Sequence, residues 1–319
     1  MVKLVITENE GNQRLDRFLR KYLRRAPLSM IYKLIRKDVK VNGKRGKEDT
    51  LLNAGDEVSI YIPGDKLEEL TAQEKKHKSR RNFGVVYEDE NLLFVNKPSG
   101  LLTHGDAREK KNTLINQVYG YLQDRGEYHP AVERVFAPAA ANRLDRNTSG
   151  LVVIGKNSQA LREMTAIISE KSQVKKIYRT FVCGCLQENL TIDYRLVKDE
   201  EKNLVKVAGK DEGKASLTRI RPVITGKRLT LAEIELVTGR THQIRVHLAK
   251  AGFPVAGDAK YGNRNMNARL KKEFGISSQV LHAERLEFGS IEGLLSYLGG
   301  MTIEAPEPEI FERLTEVID

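Results

Sequence analysis

Cysteine is nearly absent. The two in 319 residues, Cys183 and Cys185, stand one residue apart in an apolar stretch. On an extended strand residues two apart share a face with Cα atoms roughly 6.5–7 Å apart and parallel Cβ directions, a poor geometry for a disulfide, and two thiols alone do not complete a metal site. A disulfide framework is excluded, and a reducing compartment is expected. Long apolar runs are missing too: nothing approaches the roughly 20 residues that span a bilayer, and no apolar signal-like segment stands near the start. The expectation is a cytoplasmic protein without a membrane partner. The six histidines offer little to a metal. His242 and His247 are about 140° apart on a helix, and no histidine pair has an acidic or cysteine partner at ligand spacing. Each reads as a structural residue, and neither a metal nor a cofactor is expected. No internal repeat or low-complexity tract is visible.

Acid is short relative to base. Lysine and arginine number 54 against 43 aspartates and glutamates, a net charge of +11 with a pI near 9.4. A polyanion is the natural partner of such a surplus. The surplus is uneven, because residues 1–81 hold 20 basic and 12 acidic side chains. A quarter of the chain therefore carries most of it. The length fits about two domains.

Residues 12–62 read as a small unit of their own. Leu15, Phe18, Leu19, Tyr22 and Leu23 recur at helical spacing, with Arg17, Arg20, Lys21 and Arg24 on the opposite face. Pro27 ends that helix and Ser29 is the expected N-cap of a second, in which Ile31, Leu34 and Ile35 lie beside Lys33, Arg36 and Lys37. Val39-Lys40-Val41 then alternates into the hairpin signal Asn42-Gly43. Gly55-Asp56 marks another turn before a closing strand with Val58, Ile60 and Ile62 on one face. Two successive basic stripes are the expected grip on RNA phosphates. Residues 63–81 lack apolar periodicity and read as a basic linker ending in Lys75, Lys76, Lys78, Arg80 and Arg81.

From residue 82 to 319, strands alternate irregularly with a few helices. Segments 85–87, 91–96, 151–155, 177–184, 216–223 and 229–237 read as strands. A helix carrying Ala160, Leu161, Met164, Ile167 and Ile168 follows a cap at Asn157 or Ser158. The spacing argues against a βαβ repeat and for an α+β domain with a mixed, largely antiparallel sheet. A second helix is expected over 242–251, with Thr241 as N-cap and Gly252 as its stop.

The most informative stretch is Asn142-Arg143-Leu144-Asp145-Arg146-Asn147-Thr148-Ser149-Gly150, entering the apolar run Leu151-Val152-Val153-Ile154. It places one carboxylate between two arginines at the mouth of a strand, an acid in an anion-binding setting. Nearby cations favour the charged form of such a group. This loop resembles that of the RluA/RluC family of pseudouridine synthases, and further segments follow in family order. They are Asn96-Lys97-Pro98-Ser99-Gly100-Leu101 with His104, Lys176-Ile177-Tyr178, the stretch Leu236 to His247, and Pro254 to Asp258 with Tyr261-Gly262. The resemblance covers most of residues 82–319. The basic unit before it resembles an S4 RNA-binding domain, most closely at Arg14-Leu15-Asp16-Arg17-Phe18-Leu19 and Val39 to Gly43, which adds Arg14 to the RNA-binding set.

The resemblance implies the pseudouridine synthase fold and the isomerisation of uridine to pseudouridine in structured RNA. It makes Asp145 the reacting carboxylate and Arg245 its partner. Tyr178 becomes the ring stacked on the target uracil and a candidate proton acceptor, and Arg143 the side chain that fills the space of a flipped base. The Lys97 motif would support the site without performing chemistry. Large-subunit ribosomal RNA is the implied partner, met by a monomer. Transfer RNA is the first alternative, and an RNA-binding assembly factor with lost or incidental catalysis is the second. A hydrolytic glycosidase would need two acting carboxylates, and one is placed by these motifs. The chain departs from the family at Asn142, where histidine is usual, and at Thr180, where alanine is frequent.

Overall fold

Apolar residues at helical spacing near the start of the chain pack two helices onto a small sheet. The computed structural model describes residues 1–71, 80–130, 134–170, 172–199, 204–209 and 212–318. The chain begins with β1 (Val2–Val5), β2 (Gln13–Arg14), α1 (Leu15–Tyr22), α2 (Leu28–Lys37), β3 (Val39–Val41) and β4 (Lys44–Arg45). It continues through β5 (Leu51–Leu52), β6 (Glu57–Ile60) and α3 (Gly64–Leu70). Leu15, Phe18 and Leu19 of α1 and Ile31, Leu34 and Ile35 of α2 share one core with Leu4, Val58 and Ile60. At the β3–β4 turn, Asn42 and Gly43 both take the positive φ that a tight hairpin needs, 51° and 76°.

Three local expectations need correcting. Helix α2 starts at Leu28, with Pro27 in the cap position and no side-chain cap, so Ser29 lies inside its first turn. Proline suits this place because it donates no N–H and its ring pre-sets φ. The unit is also wider than residues 12–62: β1 pairs with β6, Val2 opposite Ile60. Finally, the segment expected to be a linker opens with helix α3, which buries Leu70 in the N-terminal core. Residues 72–79, which hold Lys75, Lys76 and Lys78, lie outside the described residues.

The second part of the chain runs β7 (Gly84–Glu88), β8 (Leu92–Lys97), α4 (Leu114–Asp124), β9 (Ala139–Ala140), β10 (Ser149–Gly155) and α5 (Ser158–Ser169). Then come β11 (Val174–Cys183), β12 (Leu190–Asp199), β13 (Leu204–Val207), β14 (Lys214–Thr225) and β15 (Leu229–Leu236). It closes with α6 (Gln243–Lys250), α7 (Arg264–Phe274), β16 (Leu281–Phe288), β17 (Thr302–Glu304) and α8 (Glu309–Thr315). Among the described residues these strands form one 11-stranded sheet in the order β13-β12-β14-β15-β11-β16-β10-β8-β7, with β17 beside β16 and β9 beside β10. Each pairing is antiparallel except β10 with β16. The architecture is thus α+β with a mixed, largely antiparallel sheet.

Strands β8 and β10 read as continuous apolar runs because helices cover both their faces. Phe94, Leu151 and Val153 pack with Met164 and Ile167 of α5. Leu93, Val95, Val152 and Ile154 pack with Leu114, Val118 and Leu122 of α4. The N-terminal unit also touches this domain directly. Arg134 grips Glu10 through two nitrogens at 3.0 and 2.8 Å and donates to the Val5 carbonyl. Asn9 Oδ1 accepts the Ser158 N–H at the start of α5, and Val135 joins the N-terminal core. Among the described residues no helix is long and apolar enough to cross a membrane.

Candidate active site

Asp145 sits on the loop that feeds β10, and that loop is strapped from two sides. Asn142 Nδ2 donates to the Leu151 carbonyl at 3.2 Å, and its Oδ1 accepts the Val153 N–H at 2.9 Å. An asparagine at this position thus closes the loop onto the strand it enters. From the other side, the 97–103 segment holds the loop's backbone. Thr103 Oγ1 donates to the Leu144 carbonyl, Ser99 Oγ to Asn147, and both Lys97 Nζ and the Gly100 N–H to Arg146. Lys97 is fully buried and also donates to the Pro98 and Leu101 carbonyls, so three backbone oxygens surround its ammonium. Burial pushes its pKa down to about 7, against the pull of Asp145. Gly100 makes this strap possible, with φ at +87°.

Gly150 follows the loop at the one parallel pairing. Its φ is +110°, and a Cβ there would stand 2.1 Å from the Ala283 carbonyl oxygen. Only glycine lets β10 approach β16 this closely. Ser149 beside it contacts His282 Nδ1 at 2.9 Å. On the other side of β16, the β11 register shifts between Ile177 and Tyr178, so that Tyr178 pairs with Ala283. Such a bulge re-aims a side chain, and Tyr178 lines the same cavity as Asp145. Burial, then the charge of Asp145, raises the Tyr178 pKa above its ordinary value. Two residues on, Thr180 is fully buried and its hydroxyl donates to the Val280 carbonyl at 2.6 Å, which gives this departure from alanine a structural reason.

Arg245 comes from the first turn of α6. Its Nη1 donates to Asp145 Oδ2 at 2.9 Å, while Nε and Nη2 grip both oxygens of Asp258 at 2.7 and 2.9 Å. Asp258 is fully buried and also accepts the backbone N–H groups of Lys260 and Tyr261. Burial alone would favour the neutral arginine, but Asp258 and then Asp145 outweigh it and raise the pKa. The Tyr261 ring lies over the guanidinium at 5.2 Å. The helix that carries Arg245 is not capped by Thr241. His242 takes the N-cap position with φ at 53°, and its Nε2 lies 3.7 Å from Asp145 Oδ2. It belongs to the site rather than to the fold alone.

Asp145, Tyr178, Arg245 and Arg143 thus line one cavity of about 440 Å³, with Arg143 exposed at its rim. The N-terminal candidates lie apart from it. Arg17, Arg20, Lys21, Lys33, Arg36 and Lys37 are exposed on α1 and α2, whereas Arg24, expected on the first helix, is exposed in the turn after it because α1 ends at Tyr22; Arg14 is turned onto Asp16 at 3.0 Å. Sequence reasoning gave no role to Asp258 or Tyr261 and read His242 as structural. The signal for the first two was the 254–262 segment, which the motifs flagged without a partner.

The fold is shared with solved pseudouridylate synthase structures. Human RNA Pseudouridylate Synthase Domain Containing 4 superposes with a TM-score of 0.57 at 20% identity, covering 74% of this chain and 92% of that one. Human RNA Pseudouridylate Synthase Domain Containing 1 gives 0.52 at 21%, covering 78% and 97%. The family described as RNA pseudouridylate synthase matches residues 91–250. The chain belongs to that family, and it is an enzyme of that class. The ribosomal large subunit pseudouridine synthase C of Escherichia coli (strain K12) is 35% identical over 324 residues, 98% of this chain and 95% of its own. That of Vibrio parahaemolyticus is 35% identical over 288 residues, covering 89% and 87%.

Proposed function

We propose that this enzyme isomerises uridine to pseudouridine at defined positions of large-subunit ribosomal RNA, as a cytoplasmic monomer needing no metal or cofactor. The observation that carries the chemistry is the Asp145–Arg245 pair at the cavity, 2.9 Å apart. The ribosomal substrate rests on the likeness, along nearly the whole chain, to enzymes named for the large subunit.

The reaction breaks the bond from ribose C1′ to N1 of uracil, turns the base and joins C5 to C1′. The proton lost at C5 is matched by one gained at N1, so no electron carrier or group donor is consumed. Asp145 acts at the sugar, as a nucleophile on C1′ or as the base that takes the C2′ proton to give a glycal. Either route needs a carboxylate held in place, and the Arg245 contact holds it. Tyr178 stacks on the uracil. With its pKa raised by burial, the phenol stays protonated near neutral pH, which favours stacking over the role of proton acceptor. Arg143 enters the helix space that the flipped nucleotide leaves. The S4-like N-terminal unit, residues 12–62 with their flanking strand and helix, holds RNA through Arg14, Arg17, Arg20, Lys21, Arg24, Lys33, Arg36 and Lys37.

Asp145→Asn keeps the shape and removes the charge, so it is expected to abolish isomerisation and leave RNA affinity near that of the unaltered enzyme. Comparable activity in the purified variant would remove Asp145 from the mechanism. Pseudouridine mapping in cells lacking the protein addresses the substrate. Sites should vanish from large-subunit RNA, and loss from transfer RNA alone would overturn the ribosomal assignment.

A further inference from the structure

His242 occupies a place that a residue with a Cβ seldom takes. It is the N-cap of α6 in the left-handed region, φ 53° and ψ 16°, where a non-glycine residue costs roughly 1–2 kcal/mol. The strain aims its imidazole at two partners. Nδ1 lies 2.9 Å from the Tyr261 hydroxyl, and Nε2 lies 3.7 Å from Asp145 Oδ2. That hydroxyl already accepts the Val205 N–H at 2.9 Å. Its single hydrogen is then available to Nδ1 while a carboxylate faces Nε2, and the two contacts together favour the ring proton on Nε2. The opposite tautomer would aim a nitrogen lone pair at a carboxylate.

We infer that His242 is a positioning residue for the reaction: its Nε2–H, set by Tyr261, shares Asp145 Oδ2 with Arg245 and leaves Oδ1 as the oxygen presented to the ribose. The inference rests on the reading of Asp145 as the reacting carboxylate. Among the described residues, Asp145 Oδ2 receives Arg245 Nη1 at 2.9 Å and faces His242, whereas no hydrogen bond reaches Oδ1. Burial holds the imidazole below its ordinary pKa. Asp145 and Asp258 oppose that shift, and Arg245 and Lys260 reinforce it. The ring is therefore uncharged at neutral pH and adds a donor without neutralising Asp145. At 3.7 Å the contact is too long for a hydrogen bond in the free enzyme. A closure of under about 1 Å when substrate enters makes it one, as sites commonly tighten on binding.

Two measurements on the full-length protein test this. In the ¹⁵N-labelled unaltered enzyme, His242 should show a protonated Nε2 and a bare Nδ1, its signals assigned by their loss in His242→Gln. A protonated Nδ1 overturns the inference, and this arm needs no variant to be active. In single-turnover kinetics at saturating RNA, His242→Ala should slow conversion about 10-fold, the scale of a lost hydrogen bond to a charged group. RNA affinity should be unchanged. His242→Gln, which keeps an N–H within reach, should restore most of the rate. An alanine variant as fast as the unaltered enzyme, or a glutamine variant as slow as alanine, overturns the inference. Activity in Asp145→Asn would instead sink the underlying reading, so the two failures are distinct.

Discussion

Arg245 is held by two carboxylates of unequal standing. Asp258 is fully buried and binds it bidentately, whereas Asp145 is about a quarter exposed and takes one bond. A guanidinium this deep is tolerable only when paired and hydrogen-bonded. Asp258, itself fixed by two backbone N–H groups, sets the direction in which Arg245 offers its remaining nitrogen to Asp145. Two histidines brace the same region from beneath. His247, two residues after Arg245, meets Ser216 Oγ at 2.9 Å, and His282 bridges Ser149 Oγ and the Ala305 carbonyl. Both are fully buried, and burial pushes each pKa from 6.5 down to about 4. Between those values the unfolded chain binds protons that the folded one refuses, so stability is complete above 6.5 and falls with pH toward 4. From pH 6.5 to 5 the loss should be about 2 kcal/mol for each ring. Urea unfolding at pH 7 and pH 5 measures it, and equal midpoints would show that neither histidine is held neutral.

At the scale of elements, the parallel contact of β10 with β16 places the Asp145 loop beside Tyr178, and it depends on Gly150. Gly150→Ala would drive a methyl group into the Ala283 backbone at a φ that alanine avoids. A destabilisation of about 3 kcal/mol is expected, with activity lost in proportion to misplacement of the loop. Denaturant unfolding and activity on the same preparation check this, and an alanine variant of unchanged stability would show that the two strands can separate freely. The glycine was legible as part of a motif, but the close approach that requires it was not, because its partner lies 133 residues away. The two basic helices were legible because their apolar stripes keep strict helical spacing. Strands β12, β13 and β16 were not anticipated: β12 alternates with many exposed charged residues, and β16 mixes His282, Glu284 and Arg285 into a buried strand. The start of α6 was misjudged by one residue, since a histidine in the left-handed conformation carries no sequence signature. Asp258 was invisible as a partner for a different reason. A carboxylate 13 residues past an arginine says nothing of their meeting until the turn after α6 is built.

The whole molecule is two units joined by more than a chain. Six of the named basic side chains stand exposed on α1 and α2 and Arg24 in the turn after α1; Arg36 leans on the Tyr32 carbonyl and Arg24 on that of Lys21. Replacing Arg17, Arg20 and Arg24 by glutamine in the full-length protein should weaken RNA binding and leave the saturated single-turnover rate intact. Each lost phosphate contact should flatten the log-log salt dependence of binding by about 0.7 to 0.9. Titrations at several salt concentrations read both effects, and an unchanged affinity and slope would return these residues to the role of solvated faces. The clamp of Arg134 on Glu10, the Asn9 contact with α5 and the burial of Val135 in the N-terminal core hold the basic helices' unit against the second part of the chain. The span from those helices to the cavity is then set by these contacts, as the gap is of a calliper. On the proposed reading, an RNA that engages both at once is measured as well as held, and a uridine of the right sequence at the wrong distance from the gripped backbone would not reach Asp145.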